Sequence, residues 1–389
     1  MISNRTTHIL SDIIDIISGG TPKTTIPHYW NGNIPWLSVK DFNNDDRYVF
    51  SSEKSITQSG LINSSTKLLM RDDIIISARG TVGELAMIPF PMAFNQSCYG
   101  IRGKKQFVIQ SYLYYLLRDN IRFLKQQTHG SVFDTITRET FSSIEVSLPP
   151  LEEQREIASI LTSLDDKIAV NKEINNHLEQ VANAIFKSYM ENLEPNKKFS
   201  EVVQVLGGGT PKTTIAEHWN GSIPFFTPKD AQGTYVLTTE KAITKAGLQN
   251  CNSQLYPPNT VFVTARGTVG KLAMAGVPMA MNQSCYALIG KFGYGQHFVY
   301  HLAHEMVVNL KHKASGAVFD AIVTRDFNSE VVAIPSQNVV IEFENIVKPI
   351  YEAILNNTNE SLRLSILRDS LLPRLMSGDL AVNDLLVAK

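Results

Sequence analysis

The chain has 389 residues, more than one hydrophobic core ordinarily fills, so two to three domains are expected. Hydrophobic residues make up 43% and charged residues 19% at a mean hydropathy of -0.07, which excludes wholesale disorder. A formal charge of -1 gives no global field for nucleic acid, so any charge argument must be local. Cys98, Cys251 and Cys285 are too few and too scattered for a disulfide framework or a zinc site, and a reducing, cytoplasmic setting is expected. The start, MISNRTTHIL, has no signal-type apolar core and no run of about 18 apolar residues occurs, so neither secretion nor membrane spanning is expected.

From residue 1 to 148 short β-rich runs such as Asp73-Ile74-Ile75-Ile76-Ser77 alternate with Gly, Pro and Asn punctuation, and a helical stretch lies near Ser111 to Leu124. This reads as an α+β globular domain. After Leu148-Pro149-Pro150 a Pro-free and Gly-free stretch runs to about Asn192 and opens with Glu152, Glu153 and Glu156, acids that suit a helix N-terminus. Ile157, Leu161, Leu164, Ile168, Asn171, Asn175, Leu178, Ala182, Ile185 and Tyr189 step by four and three, the seam of a coiled coil. At 1.5 Å per residue the helix is a rod of roughly 60 Å. It carries eight acids and four bases, so mild basic character falls on the globular parts.

The second half repeats the first. Gly19-Gly20-Thr21-Pro22-Lys23-Thr24-Thr25 recurs from Gly208 to Thr214 and Trp30-Asn31-Gly32 from Trp219 to Gly221, both at an offset of 189. Ala78 to Gly83 matches Ala265 to Gly270, and Asn95 to Tyr99 matches Asn282 to Tyr286, at 187. Val132-Phe133-Asp134 matches Val318-Phe319-Asp320 at 186. A period of roughly 190 residues is too long for a solenoid and means two similar domains with their connections. Shifted by 186, the seam becomes Phe343, Val347, Ile350, Ile354, Asn357, Ser361, Leu364, Arg368, Leu371 and Leu375, and eight of the ten keep their character. Asn171 and Asn357 occupy the same step, a register device when buried, and the two helices are expected to pair antiparallel with these asparagines facing. The expected architecture is therefore α+β, a pseudo-twofold internal repeat in which two similar globular domains are separated by a pair of long antiparallel coiled-coil helices. The segments are 1–148, 149–195, 196–334, 335–378 and a tail 379–389.

Catalytic signatures are missing. Gly267-Thr268-Val269-Gly270-Lys271-Leu272 resembles a phosphate loop but lacks its first glycine and the Ser or Thr after Lys, and the first copy has Glu84 at the Lys position. No dinucleotide fingerprint, amino-methyltransferase string or paired metal ligands occur. His28 and His218 read as packed side chains beside aromatic residues, and Ser97-Cys98 and Ser284-Cys285 as buried small residues rather than nucleophiles. What recurs is a polar loop inventory: Thr21, Lys23, Thr24, Thr25, Arg79, Gly80, Thr81, Asn95, Gln96 and Ser97, each with a mate. Arg, Asn and Gln bond base edges, while Lys, Thr, Ser and glycine-flanked amides hold phosphates. Composition alone leaves this open, because Gly20-Thr21-Pro22 equally shapes a turn and Asn95-Gln96 equally ties loops together.

Taken with Gly-Gly-Thr-Pro in both halves, the string Leu148-Pro149-Pro150-Leu151-Glu152-Glu153-Gln154-Arg155-Glu156-Ile157 and the tail from Leu367 to Gly378, the chain resembles the specificity subunit of type I restriction-modification systems. The second helix departs from the pattern, opening Ile334-Pro335-Ser336-Gln337-Asn338. The resemblance implies a non-enzymatic chain with two target recognition domains. Each would read one half of a bipartite double-stranded DNA target, while the helices set the spacer and dock the methyltransferases. Its implied partners are two modification (methyltransferase) subunits and two restriction subunits, ATP-dependent endonuclease/translocases. No cofactor is expected in this chain, since S-adenosylmethionine, ATP and Mg would belong to the partners. The DNA-binding set is Thr21, Lys23, Thr24, Thr25, Lys40, Arg79, Gly80, Thr81, Asn95 and Gln96, with Thr210, Lys212, Thr213, Thr214, Lys229, Arg266, Gly267, Thr268, Asn282 and Gln283 in the second copy. Phe42 to Ser51 against Ala231 to Thr238 is the largest loop divergence and the expected origin of target asymmetry. The competing expectation is a degenerate assembly scaffold that docks partners without sequence-specific DNA binding.

Overall fold

The computed structural model describes residues 5–127, 135–313 and 321–382. The Val132–Asp134 and Val318–Asp320 repeat lies outside these residues, as does the tail beyond residue 382. Two compact units emerge, one from Met1–Ala169 with Arg363–Lys389 and one from Val170–Leu362.

Unit 1 holds two four-stranded sheets. One has the order Ile14–Ser18, Cys98–Gly103, Ile74–Ser77, Leu85–Met87, and the other Lys54–Ile56, Trp30–Leu37, Met92–Phe94, Leu68–Leu69. The β-branched run Ile74-Ile75-Ile76 pairs with an antiparallel neighbour on each edge and is buried on both faces because a separate core cluster covers each side of its sheet. One face carries Ile74, Ile76 and Ile101 against helix α1 (Gln110–Gln127); the other carries Ile75 against Leu37 and Phe94.

The long helices are α2 (Leu151–Met190) and α4 (Gln337–Ser377), and each contributes to both units. In unit 1, Ile157 and Leu161 of α2 share a core with Leu371, Leu372 and Leu375 of α4 and with Tyr112 and Leu113 of α1. Each such buried Leu or Ile stabilises the unit by about 1.5–3 kcal/mol. Gln154 is buried in the first turn of α2, where its amide nitrogen donates to the Pro149 and Phe107 carbonyls and its oxygen accepts the Ile109 N–H. Arg5 closes the far side. Its guanidinium donates to the Leu375 carbonyl at 3.1 Å and the Met376 carbonyl at 2.5 Å, capping the last turn of α4 where the helix dipole favours a cation. Gly378 follows in the left-handed region at φ 84°.

Unit 2 repeats the plan with a five-stranded sheet (Val203–Gly207, Cys285–Gly290, Val261–Thr264, Leu272–Ala275, Tyr235–Val236) and a three-stranded one (Ala242–Ile243, Trp219–Phe226, Ala280–Met281). Helix α3 (Gln296–Lys313) stands where α1 stands in unit 1. Here Ala182 and Phe186 of α2 pack with Phe343, Val347 and Ile354 of α4 and Phe298 and Leu302 of α3. The altered opening of α4 has a local reason. Glu344, rather than a glutamine in the first turn, accepts the Phe298 N–H at 2.7 Å and meets His297 at 2.9 Å, tying down the start of α3.

No seam position is exposed. The asparagines, however, do not meet side chain to side chain. Asn171 donates to Glu360 at 2.8 Å, Ser361 at 3.3 Å and the Asn357 carbonyl at 3.4 Å, whereas the Asn357 amide donates to Asn175 at 2.9 Å. The reason is counting: in an antiparallel pair of ten-step seams, the fifth step of one faces the sixth of the other. Asn171 thus lies opposite Ser361, and Asn357 opposite Asn175.

Candidate nucleic-acid interface

The candidate interface comprises three loops that connect the strands. The first is the Gly-Gly-Thr-Pro loop. An added Cβ at Gly19 would run into the Asn95 carbonyl and one at Gly20 into Ser65 and Thr66, so only glycine lets this backbone lie against its neighbours. Gly208 and Gly209 meet the Asn282 carbonyl and Asn252 in the same way. The approach lets the Thr21 hydroxyl donate to the Gln96 side-chain oxygen, and Thr210 to Gln283. The indole N–H of Trp30 holds the Lys23 carbonyl at 3.3 Å, and Trp219 holds that of Lys212 at 3.2 Å. Lys23, Thr24, Thr25, Lys212, Thr213 and Thr214 stand exposed on the held loop.

The second loop, Arg79-Gly80-Thr81, is a hairpin turn between Ile74–Ser77 and Leu85–Met87. Gly80 and Gly83 sit at φ 80° and 82°, and Gly267 and Gly270 at 81° and 78°. The Ser77 hydroxyl pins it by donating to the Thr81 carbonyl and accepting the Glu84 N–H; Thr264 does the same for Thr268 and Lys271. Gly267-Thr268-Val269-Gly270-Lys271 therefore runs strand to strand. A phosphate loop needs a helix after the glycines. An added Cβ at Gly80 or Gly267 would meet nothing within 4 Å, so bare backbone is presented beside exposed Arg79, Thr81, Arg266 and Thr268.

The third is a one-turn helix, Val39–Asp41, with Pro228–Asp230 as its counterpart. Asp41 accepts from the Ser38 N–H at 2.7 Å and the Glu53 N–H at 2.8 Å, and Asp230 from Thr227 and Glu240 at 2.7 and 2.9 Å. Lys40 and Lys229 are thereby exposed on fixed turns; Lys229 pairs with Glu240 at 3.4 Å.

In unit 1 the second and third loops, together with Asn95, line an open cleft of about 480 Å³ through Lys40, Arg79, Gly80 and Thr81, whereas Thr21, Lys23, Thr24, Thr25 and Gln96 are not among its lining. Asn95 also accepts the Ser97 N–H at 3.0 Å, so it shapes its own turn, and Gln96 ties to Thr21 beside it. Trp36, Asn43 and Lys54 line the cleft too and escaped the sequence reading. Lys54 had a signal: Glu53-Lys54 recurs as Glu240-Lys241 before an Ile and a Thr. The Lys241 ammonium lies 5.9 Å above the Trp219 ring.

A family model for the type I restriction modification DNA specificity domain matches residues 5–180 and again 190–363. The chain belongs to this family. It is 26% identical to the type I restriction enzyme MjaIX specificity subunit of Methanocaldococcus jannaschii, over 97% of this chain and 93% of that one. To the HindI specificity subunit of Haemophilus influenzae it is 24% identical, over 70% and 78%. The type I system S subunit from M. genitalium shares the fold at a TM-score of 0.55 and 13% identity, covering 96% of each chain. The chain is thus a DNA specificity subunit with two recognition domains, and the catalytic activities belong to other subunits.

Other side chains of this specificity subunit take structural places. Cys98 and Cys285 lie inside sheets, and burial, with a smaller push from Asp41 or Asp230, raises both thiols to about 12, far from a nucleophile. His218 is buried as expected, but His28 is exposed, edge-on to Tyr29. The divergent loop Phe42 to Ser51 divides its work. Asn43 lines the cleft, while Asp45 and Arg47 turn to the helices, Asp45 meeting Arg118 at 2.7 Å and Arg47 meeting Asp166 at 2.7 Å. Among the described residues no helix is long and apolar enough to cross a membrane, and no group of three or more His, Cys, Asp or Glu is placed to hold a metal ion.

Proposed function

We propose that each recognition domain of this specificity subunit reads one half of a bipartite duplex target through its three loops, with the halves related in sequence and inverted. The observation that carries this is the repetition of the loop scaffold, hydrogen bond for hydrogen bond, beneath the same exposed Lys, Arg and Thr residues. On this reading Arg79, Arg266, Asn95 and Asn282 address base edges. Lys23, Lys40, Lys212 and Lys229, with the Thr hydroxyls of both Gly-Gly-Thr-Pro loops and the glycine amides, address phosphates. Gln96 and Gln283 act with the threonines they bond. The helices set the gap between the halves and dock two modification subunits and, for cleavage, two restriction subunits. S-adenosylmethionine, ATP and Mg serve in those partners, and the complex works in the cytoplasm on chromosomal DNA. Methylation of a stacked adenine then requires a partner to flip the base out.

The test is the adenine methylation map of cells with and without the gene, read by single-molecule sequencing. Loss of one two-part motif with a fixed gap supports the reading. Unrelated half-sites would refute the relation between the domains, and an unchanged map would favour a scaffold. Inserting four residues near Asn171 adds about 6 Å of helix, close to two base-pair rises, and should lengthen the gap with both half-sites kept.

A further inference from the structure

The repeat makes each unit a template for the other, and at one place they differ in kind. In unit 1 the junction of α1 with the helix pair is filled by charge. Arg368 is 3% exposed and donates to Asp165 at 2.7 Å, Asp369 at 2.9 Å and Asp45 at 3.1 Å, while Arg118 also reaches Asp45. A shift of 186 residues turns Arg118 into His304, Tyr115 into His301 and Asp165 into Tyr351; the reverse shift turns Arg368 into Ala182 and Asp369 into Asn183. The loop that supplies Asp45 is two residues shorter in unit 2, and Asp45 has no counterpart. Both arginines and all three carboxylates are lost together.

What unit 2 has in their place is a cavity of about 350 Å³, lined by Asn176, Glu179, Asn183, Tyr300, His304 and Tyr351 among others. Its wall is about half polar and half apolar, and it is large enough for a small ligand group. Glu179 is its one acidic lining residue; burial raises its carboxyl, and the Thr234 hydroxyl donates to it. The imidazoles add no positive charge. His301 accepts from or donates to the Tyr351 hydroxyl at 2.8 Å and is held near 3 by burial, and His304 is lowered by burial and by Lys311 and Lys187. Those lysines act on His304, and Lys187 has Glu305 beside it. Amide oxygens, a carboxyl and two phenol rings suit a planar cation that can donate several bonds and stack.

We infer that this cavity is a guanidinium-binding site, taking in unit 2 the group that Arg368 provides from within in unit 1. The arginine comes from another chain or as a free derivative. The full chain titrated with N-acetylarginine amide, followed by NMR, shows saturable binding, with the lysine analogue about ten-fold weaker or more. Glu179→Gln weakens the arginine probe about ten-fold. Ala182→Arg with Tyr351→Asp, which rebuilds the unit 1 pair, fills the cavity and abolishes binding; if that variant does not fold, Glu179→Gln decides. Absence of saturable binding, equal binding of the lysine probe, or no effect of Glu179→Gln overturns the inference. Resting on the proposed partners, a second titration uses the complex with modification subunits: exclusion of the probe identifies a partner arginine, and retained binding a free ligand. The methylation map reads the function separately, so the two can fail independently.

Discussion

Removing the Arg368 guanidinium should cost far more than an ordinary surface substitution. Arg368→Ala strands Asp165, whose side chain is 6% exposed and would keep only the Tyr115 hydroxyl at 2.6 Å. Breaking a buried pair from one side typically costs about 3–5 kcal/mol, because the remaining charge is uncompensated. Asp165→Asn should cost less, about 1–3 kcal/mol, since Arg368 keeps Asp45 and Asp369. Unit 2 shows the alternative solution, Ala182 with Tyr351, so Arg368→Ala with Asp165→Tyr should recover more than half of the loss. Urea unfolding can follow unit 1 alone, because Trp30 and Trp36 lie there and a Trp219→Phe background silences the third indole. Salt should reduce the exposed Arg118–Asp45 arm and leave the Arg368–Asp165 arm nearly intact, since buried pairs are poorly screened. A loss below about 1 kcal/mol for Arg368→Ala, or equal losses for Arg368→Ala and Asp165→Asn, would refute the reasoning.

Three further outcomes are expected. His301 falls from an ordinary 6.5 to about 3 when buried, so the stability its neutral form contributes is complete above 6.5 and declines as pH drops toward 3; His301→Asn should flatten that slope in unit 2 by up to about a few kcal/mol, and an unchanged profile would contradict it. Half-buried Cys251 should react with a disulfide-exchange reagent in the native chain well before Cys98 and Cys285, and equal rates for all three would be against the buried placement. Gly208→Ala should push the second Gly-Gly-Thr-Pro loop off the Asn282 carbonyl and weaken recognition of one half-site only; a methylation map with both halves intact would count against the loop's role.

The helix seams were legible because burial along a helix enforces steps of three and four, and every seam residue from Ile157 to Tyr189 and from Phe343 to Leu375 is at least partly buried. Their facing pairs were less so, since a shared step in a repeat does not become a shared layer once the helices run antiparallel. Asp165, Gln154, Phe186 and Tyr351 are buried off the seam. The recognition domain packs against them in addition to the partner helix, as Phe186 shows, lying beside Phe298 and His301 as well as Phe343. No period in one helix could reveal that third wall. The Arg368–Asp165 bond joins residues 203 apart, and its sole trace in the sequence was that Arg368 broke the match to Ala182. The loops were legible as repeats. Their division into outward and inward side chains was not, because Asp45 and Asn43 have similar polarity and differ only in which neighbour the fold brings to them.

The core of unit 1 joins Leu10 and Tyr112 to Leu371 and Leu375, and Arg5 seals it on the Leu375 and Met376 carbonyls, whereas unit 2 is one uninterrupted stretch from Val170 to Leu362. On the ribosome this reverses the usual order of maturation. The second recognition domain can close as soon as its own residues have emerged, while the first, translated earliest, waits with an unfinished interior for the last turns of α4. A nascent chain stalled just before Leu371 would thus carry a finished second domain and an open first one, which makes the earlier-made half the one in need of a chaperone.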